Sequence, residues 1–325
     1  YIVALVSDYK MDDTYVLGVQ VPFYYVMTAL DIYGTIAAKA HAYLIPKSKF
    51  LFPAYLVQYL HDNKINLLSW VPSALCMIAN TNAFSVADLS AIKLIVFGGE
   101  VMPIKQLKAW QQAVPDAVYI NEYGSTEITD GCTYYIVDRE FKDEDILPIG
   151  IPYSNCDVLV IDEDGNPITE GVGELVVRGN SVGYGYYKDP EKTAEVFIQN
   201  PLNSCYPETV YKMGDLVRFN EYGELEYYGR KDFQIKYMGR RIELGEIEAN
   251  VSSIDGVDEN CCVFDSVKKR IVLFYSGAID DKTLLKTLRS KLPDYMQPRK
   301  INHLPEMPHN QNGKINRKFL ATQIS

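Results

Sequence analysis

The chain has 325 residues, 47% of them apolar and 23% charged, and a formal net charge of −10. That length suffices for two domains, and the composition is that of an ordinary globular protein. The acid excess argues against a nucleic-acid scaffold, whose affinity comes from neutralising phosphates, and no apolar run approaches the ~20 residues of a membrane-spanning helix.

Taken in order, the first third alternates β-rich runs with helical patterns. Thr14–Phe23 reads as a strand, Val26–Lys39 as a helix and His41–Ile45 as a strand. A helix follows from Pro53 to about Asn63, with proline where a missing N–H costs nothing. Ile65–Trp70 is a strand, Pro72–Asn80 a helix, Lys93–Phe97 a strand, Pro103 to Ala113 a helix and Ala117–Asn121 a strand. Repeated β-α-β of this kind predicts a parallel sheet covered by helices, and runs such as Leu94–Phe97 fit strands buried on both faces.

From about Arg139 the texture becomes short strands divided by Gly, Pro, Asn and Asp, with Val158–Asp162, Gly173–Arg178 and Leu225–Tyr228 in an antiparallel, barrel-like region. Beyond Gly229 a third texture begins. Phe233–Tyr237 and Arg241–Leu244 form a hairpin around Met238-Gly239, then come a helix from Glu246, strands at Cys261–Phe264 and Ile271–Ser276, and a helix over Asp281–Leu292. The expected fold class is α/β: a parallel β-α sheet subdomain (1–138) and an antiparallel barrel-like subdomain (139–230), followed by a small α+β domain (231–325). The six cysteines show no C-x-x-C pair and no histidine at zinc-ligand spacing, so reduced thiols in a cytoplasmic protein are expected.

Several short motifs carry chemistry. Phe97-Gly98-Gly99-Glu100 follows a buried strand, where two glycines let a flat ligand approach the backbone; a plain turn is the competing reading. Tyr123-Gly124-Ser125-Thr126-Glu127 offers an aromatic, a close approach, hydroxyls and a carboxylate in one loop, against the alternative of a solvated loop whose tyrosine packs on the core. In Gly214-Asp215-Leu216 the acid can accept hydrogen bonds from ribose hydroxyls. Gly229 to Lys236 gathers cations at the domain boundary, and Asn312-Gly313-Lys314 sets a flexible point cation beside a glycine.

Together and in this order, with Gly173–Gly179 and the block from Gly229 through Arg241-Ile242-Glu243-Leu244-Gly245-Glu246-Ile247-Glu248, these motifs resemble the adenylate-forming superfamily over about Pro22 to Phe319. Leu244–Glu248 and Asn312–Lys314 are more similar to amino-acid adenylation domains and D-alanine–carrier-protein ligases than to acyl-CoA synthetases. The resemblance implies ATP-dependent activation of a small carboxylic acid as an acyl-adenylate, then transfer to a thiol, that of an acyl or peptidyl carrier protein. An acyl-CoA ligase or a non-catalytic nucleotide-binding relative are the alternatives.

By that resemblance, Gly98, Gly99, Glu100, Tyr123, Gly124, Ser125, Asp215 and Arg230 surround the nucleotide, with Tyr123 stacked on adenine and Asp215 on the ribose hydroxyls. Thr126 contacts phosphate, Glu127 holds Mg²⁺, Asp232 is the hinge of a mobile C-terminal domain, and Lys314 bridges the substrate carboxylate and the α-phosphate. Val26, Met27, Leu30, Trp70, Val96, Glu122, Asp130 and Gly131 line the acid pocket.

Three departures bear on this. The family's phosphate loop with its lysine is absent; it normally lies upstream of where Tyr1 begins, so a fragment that folds but adenylates poorly by itself is expected. Val26 stands where amino-acid-activating members place the aspartate that pairs with the α-ammonium, and valine cannot neutralise a buried ammonium, so the α-amino-acid reading weakens, D-alanine included, and hydroxy, keto or aryl acids become candidates. Yet Glu122 and Asp130 would favour a cation placed elsewhere on the substrate; the competing reading has Asp130 facing solvent. Finally, Met213 replaces the usual threonine before Gly-Asp.

Overall fold

A continuous apolar strand is stable only when both its faces are covered, and the first part of the chain is built on that rule. The computed structural model describes residues 1–143, 145–231, 234–309 and 315–324. The chain divides into two compact units, Tyr1–Lys231 and Asp232–Ser325. Asp232, Phe233 and Lys314 lie outside the described residues.

In the first unit α1 (Ile2–Asp8) precedes seven strands: β1 (Val16–Val19), β2 (His41–Leu44), β3 (Leu67–Trp70), β4 (Leu94–Gly98), β5 (Val118–Ser125), β6 (Asp130–Ile136) and β7 (Ile151–Pro152). They form one sheet in the order β2-β1-β3-β4-β5-β6-β7. Neighbours from β2 to β5 run parallel, and β6 and β7 continue the sheet antiparallel. The helices between them are α2 (Thr35–Ala38), α3 (Pro53–Asp62), α4 (Pro72–Ala79) and α5 (Ile104–Ala113). Trp70 and Trp110, both fully buried, anchor the core between α3, α4, α5 and the sheet, and each indole N–H donates to a backbone carbonyl, Gly18 and Leu75 respectively.

Two local expectations are corrected. The helix expected over Val26–Lys39 begins only after turns at Val26 and Met27, and its centre, Leu30–Gly34, is a widened π-turn that leads into α2. Residue periodicity does not distinguish that turn from an α-helix, although such turns cluster at functional sites. The loop expected at Tyr123–Ser125 is strand: β5 continues through it, paired to β6 across a bulge at Tyr123/Gly124. Gly124 faces Gly131, and a Cβ on Gly124 would collide with the Asp130 carbonyl, so glycine is what lets these backbones pair.

The rest of the unit is an antiparallel five-stranded sheet: β8 (Cys156–Ile161), β9 (Gly173–Gly179), β10 (Phe197–Gln199), β11 (Thr209–Phe219) and β12 (Leu225–Arg230), with α6 (Pro190–Val196) before β10. Asp215 sits inside β11, directly opposite Arg230. In the second unit β13 (Gln234–Tyr237) and β14 (Arg240–Glu243) form the expected hairpin, turned at Met238 and Gly239, whose φ values are 52° and 71°. There α7 (Leu244–Ser252) and α8 (Asp281–Lys291) cover one face of the sheet β15 (Val257–Asp265), β16 (Arg270–Gly277) and β17 (Lys300–His303), while α9 (Arg317–Thr322) contributes Leu320 to a smaller cluster on the other strand positions. The six cysteines are free, and no described helix is long and apolar enough to cross a membrane.

The close pairing at Gly124 gives a direct test. Gly124→Ala is expected to lose about 1–3 kcal/mol of stability, the usual cost of overpacking. Urea unfolding without any ligand reads this as a lower midpoint at unchanged slope.

Candidate active site

The carboxyl ends of β3, β4 and β5 bring the sequence motifs to one sheet edge, where open α/β sheets bind ligands. Gly98 pairs with Glu122 in adjacent strands, and a Cβ on Gly98 would sit 2.5 Å from the Glu122 carbonyl oxygen. Strand spacing alone therefore demands glycine there. Met27 stands over Gly99, its sulfur 3.8 Å from where a Cβ would lie. Glu100 accepts from the Ser73 amide at 2.9 Å, capping the first turn of α4.

Tyr123, 6% exposed, packs among Ile128, Cys132, Leu175 and Val177, and its hydroxyl donates to Oδ2 of Asp215. Arg230 donates to Oδ1 of Asp215 at 2.8 Å and to the Met213 carbonyl at 2.9 Å. Asp215 is 1% exposed, so this pairing is what makes its burial tolerable. Its four lone-pair positions still allow it to accept a further hydroxyl. Ser125 turns its hydroxyl toward the Met213 sulfur, 3.9 Å away, a weak partner in place of an oxygen.

Thr126 and Glu127 begin a single 3₁₀ turn, followed by Thr129 and Asp130 at φ of 61° and 79°. Two consecutive left-handed, non-glycine residues store strain of a kind concentrated at ligand sites. Thr126 is exposed, and half-buried Glu127 accepts from the Tyr186 hydroxyl at 2.7 Å. Among the described residues no three His, Cys, Asp or Glu side chains converge on a metal-sized point. One carboxylate and one hydroxyl on an open rim fit Mg²⁺, which keeps its waters and is held largely by substrate phosphates.

The pocket residues fall into two groups. Trp70 and Met27 belong to one apolar cluster, Leu30 and Val96 to another that includes Leu5, Tyr9 and Tyr153. Between the strand ends lie the acids. Asp130 is buried, which disposes of the solvent-facing alternative, and Glu122 is buried with it. The single Tyr1 hydroxyl proton is shared between the two acids, its oxygen 2.8 Å from Glu122 and 3.0 Å from Asp130, while Tyr153 donates to Glu122 at 2.9 Å. Gly131 leaves room for the Glu122 carboxylate, against which any Cβ would collide. Burial raises the pKa of Glu122 against the lowering effect of its two hydrogen bonds; burial and then the Glu122 charge raise Asp130.

Sequence reasoning passed over Asp31, in the middle of the π-turn. It is 3% exposed, neither carboxylate oxygen has a hydrogen-bond partner among the described residues, and its charge acts on Asp130. Burial alone pushes its pKa up to about 8. Its signal in the sequence was one acid within Ala29-Leu30-Asp31-Ile32-Tyr33. Tyr1, Tyr9 and Tyr153 carried no signal, because their partners are far away in the chain.

Comparison with known proteins bears on the whole arrangement. A family model described as AMP-binding enzyme matches residues 1–187, and one described as AMP-binding enzyme C-terminal domain matches 246–314. Tyrocidine synthase 3 of Brevibacillus parabrevis is 33% identical over 89% of this chain and 4% of its own length. A D-alanine–D-alanyl carrier protein ligase of Bacillus cytotoxicus is 32% identical over 98% of this chain and 65% of its own length. The crystal structure of IdnL1 superimposes with a TM-score of 0.86 at 29% identity, covering 94% of this chain and 64% of that one. The chain thus spans less than two thirds of the length of each of these relatives.

The burial of Asp31 predicts a pH signature. Its carboxyl ionises near ~3.9 in an unfolded chain and at about 8 in the fold. Between those values the folded state holds the extra proton, so stability falls as pH rises and the cost is complete above pH 8. Asp31→Asn removes that titration. Its Tm relative to the parent is expected to climb steadily from about pH 4 to about pH 8, read by thermal unfolding across the range; a pH-independent difference would contradict it.

Proposed function

The chain belongs to the AMP-binding enzyme family, and from that premise we propose that it takes part in ATP-dependent activation of a carboxylic acid. A carboxylate oxygen attacks the α-phosphorus of ATP, the bond to the β-phosphate oxygen breaks, and pyrophosphate leaves. A thiolate then attacks the acyl carbonyl and AMP departs. The D-alanyl carrier protein ligase among the relatives favours a carrier-protein phosphopantetheine as the thiol. Such chemistry asks the protein mainly to position charged groups and to neutralise them.

The observation that carries this reading is the continuity of the motif residues in one place. Gly98 adjoins Glu122, Tyr123 binds Asp215, Asp215 binds Arg230, and Thr126 with Glu127 opens on the rim. In this reading Gly98, Gly99 and Tyr123 border adenine, and Asp215 takes the ribose hydroxyls while Arg230 holds it in place. Thr126 meets phosphate, and Mg²⁺, when bound by Glu127, screens the phosphate charge. Lys314 supplies the cation for the attacking carboxylate, and Asp232, at the junction of the two units, is the hinge. Those last two roles rest on their motifs alone. Trp70, Leu30, Val96 and Met27 supply the apolar walls for the acid.

ATP–pyrophosphate exchange tests the reading, using the natural polypeptide that carries these residues and a panel of carboxylic acids. Exchange is expected with one class of acid, and Lys314→Ala is expected to lower it about 10²–10³-fold, the loss typical of one charge-stabilising group. If ATP binds but no acid supports exchange, the nucleotide-binding relative is the correct description. Transfer to free coenzyme A in preference to a carrier protein would identify the acyl-CoA ligase.

A further inference from the structure

Three buried carboxylates, Asp31, Glu122 and Asp130, stand in one neighbourhood, and among the described residues no cation is found in the groups that act on them. Their hydrogen-bond donors are the Tyr1 and Tyr153 hydroxyls, and Tyr9 shares a hydrogen bond with Tyr153. Two of the three are thereby partly satisfied. Asp31 is not: it is 3% exposed, both its oxygens lack partners among the described residues, and its charge reaches Asp130. A fold gains nothing from a bare acid in its interior unless something else uses it.

We propose that Asp31, Asp130 and Glu122 form a binding site for an organic ammonium carried by the carboxylic acid substrate, remote from the carboxylate that is activated. The inference rests on the adenylation reading for the identity of that substrate, while the cation site itself rests on the geometry. An ammonium has three N–H donors and no acceptor, which suits a set of carboxylates with open acceptor positions. A metal ion suits it less, since the described side chains do not close on one metal-sized point.

Position separates the two ends of the ligand. Glu122 lies three residues before Ser125 on β5, roughly 10 Å along an extended strand, and the phosphate-facing Thr126 and Glu127 follow. The cation therefore belongs several bonds away from the reacting carboxylate. Val26, whose side chain offers no charge, and the apolar Leu30 and Val96 suit the methylene chain between them. Ionisation of the acids, which burial opposes, would be restored by the arriving cation.

Matched pairs of acids test this, with two variants as controls. Exchange is measured for propanoate against 3-aminopropanoate, pentanoate against 5-aminopentanoate, and L-norvaline against L-ornithine, with the natural polypeptide. In at least one pair the amine-bearing member is expected to exceed its neutral partner at least 100-fold in kcat/KM. Asp31→Asn and Asp130→Asn are each expected to reduce that preference at least tenfold. Neutral members that match or exceed their partners would overturn the cation site and leave adenylation standing. A second readout needs no ATP: pentylamine, but not pentanol, is expected to raise Tm, and Asp31→Asn to abolish the rise. That result without exchange for any acid would uphold the cation site and defeat the adenylation reading. No rise, or a rise that Asp31→Asn leaves intact, would overturn the proposal.

Discussion

A carboxylate buried at the end of a parallel strand must be given partners by the surrounding chain, and Glu122 imposes that requirement on four separate segments. Tyr1 at the start of the chain and Tyr153 beyond β7 supply hydroxyl donors. Gly131 on β6 vacates the volume its side chain occupies, and Gly98 on β4 lets the neighbouring backbone close in. Burying an ionised carboxylate without such partners costs several kcal/mol even after relaxation. Tyr1, Tyr153 and Gly131 are thus constrained together by one side chain, and Gly98 by the backbone of the same residue.

The same strand joins the two sheets of the first unit. Tyr123, the residue after Glu122, crosses to Asp215 on β11, and Arg230 on β12 completes a buried ion pair with it. Glu174, also buried, receives Lys212 and Lys231 at 3.5 and 3.1 Å, which fixes the last residues of the unit beside β9 and β11. Polar groups placed in this way give little net stability, because desolvation offsets the pairing. What they give is a fixed arrangement, on which the proposed handling of phosphate and carboxylate charge would depend.

The second unit follows simpler rules. Ile247 and Val251 of α7 and Leu284 and Leu288 of α8 meet Cys262, Leu273 and Tyr275 of the sheet in a separate apolar core. Asp280 caps α8 through the Lys282 and Thr283 amides. A bidentate contact of Arg317 with Glu248 ties α9 to α7. With its own core, such a unit can keep its internal structure independently, which the proposed hinge motion would require.

The sequence by itself determined the alternation of strands and helices, the change of texture near Arg139, the turn at Met238-Gly239 and the family to which the ordered motifs belong. These are local properties, written in periodicity, in glycine placement and in residues adjacent along the chain. Tertiary structure alone decided that Tyr123–Ser125 is strand, because its pairing partner on β6 sets the register across a bulge. It alone decided that Leu30–Gly34 widens into a π-turn and that Asp31, one acid among apolar neighbours, ends inside the protein without a partner among the described residues. Burial and charge coupling arise from segments as distant as Tyr1 and Asp130, separated by 129 positions. No local pattern encodes a contact of that range, because desolvation depends on everything the fold brings around a group.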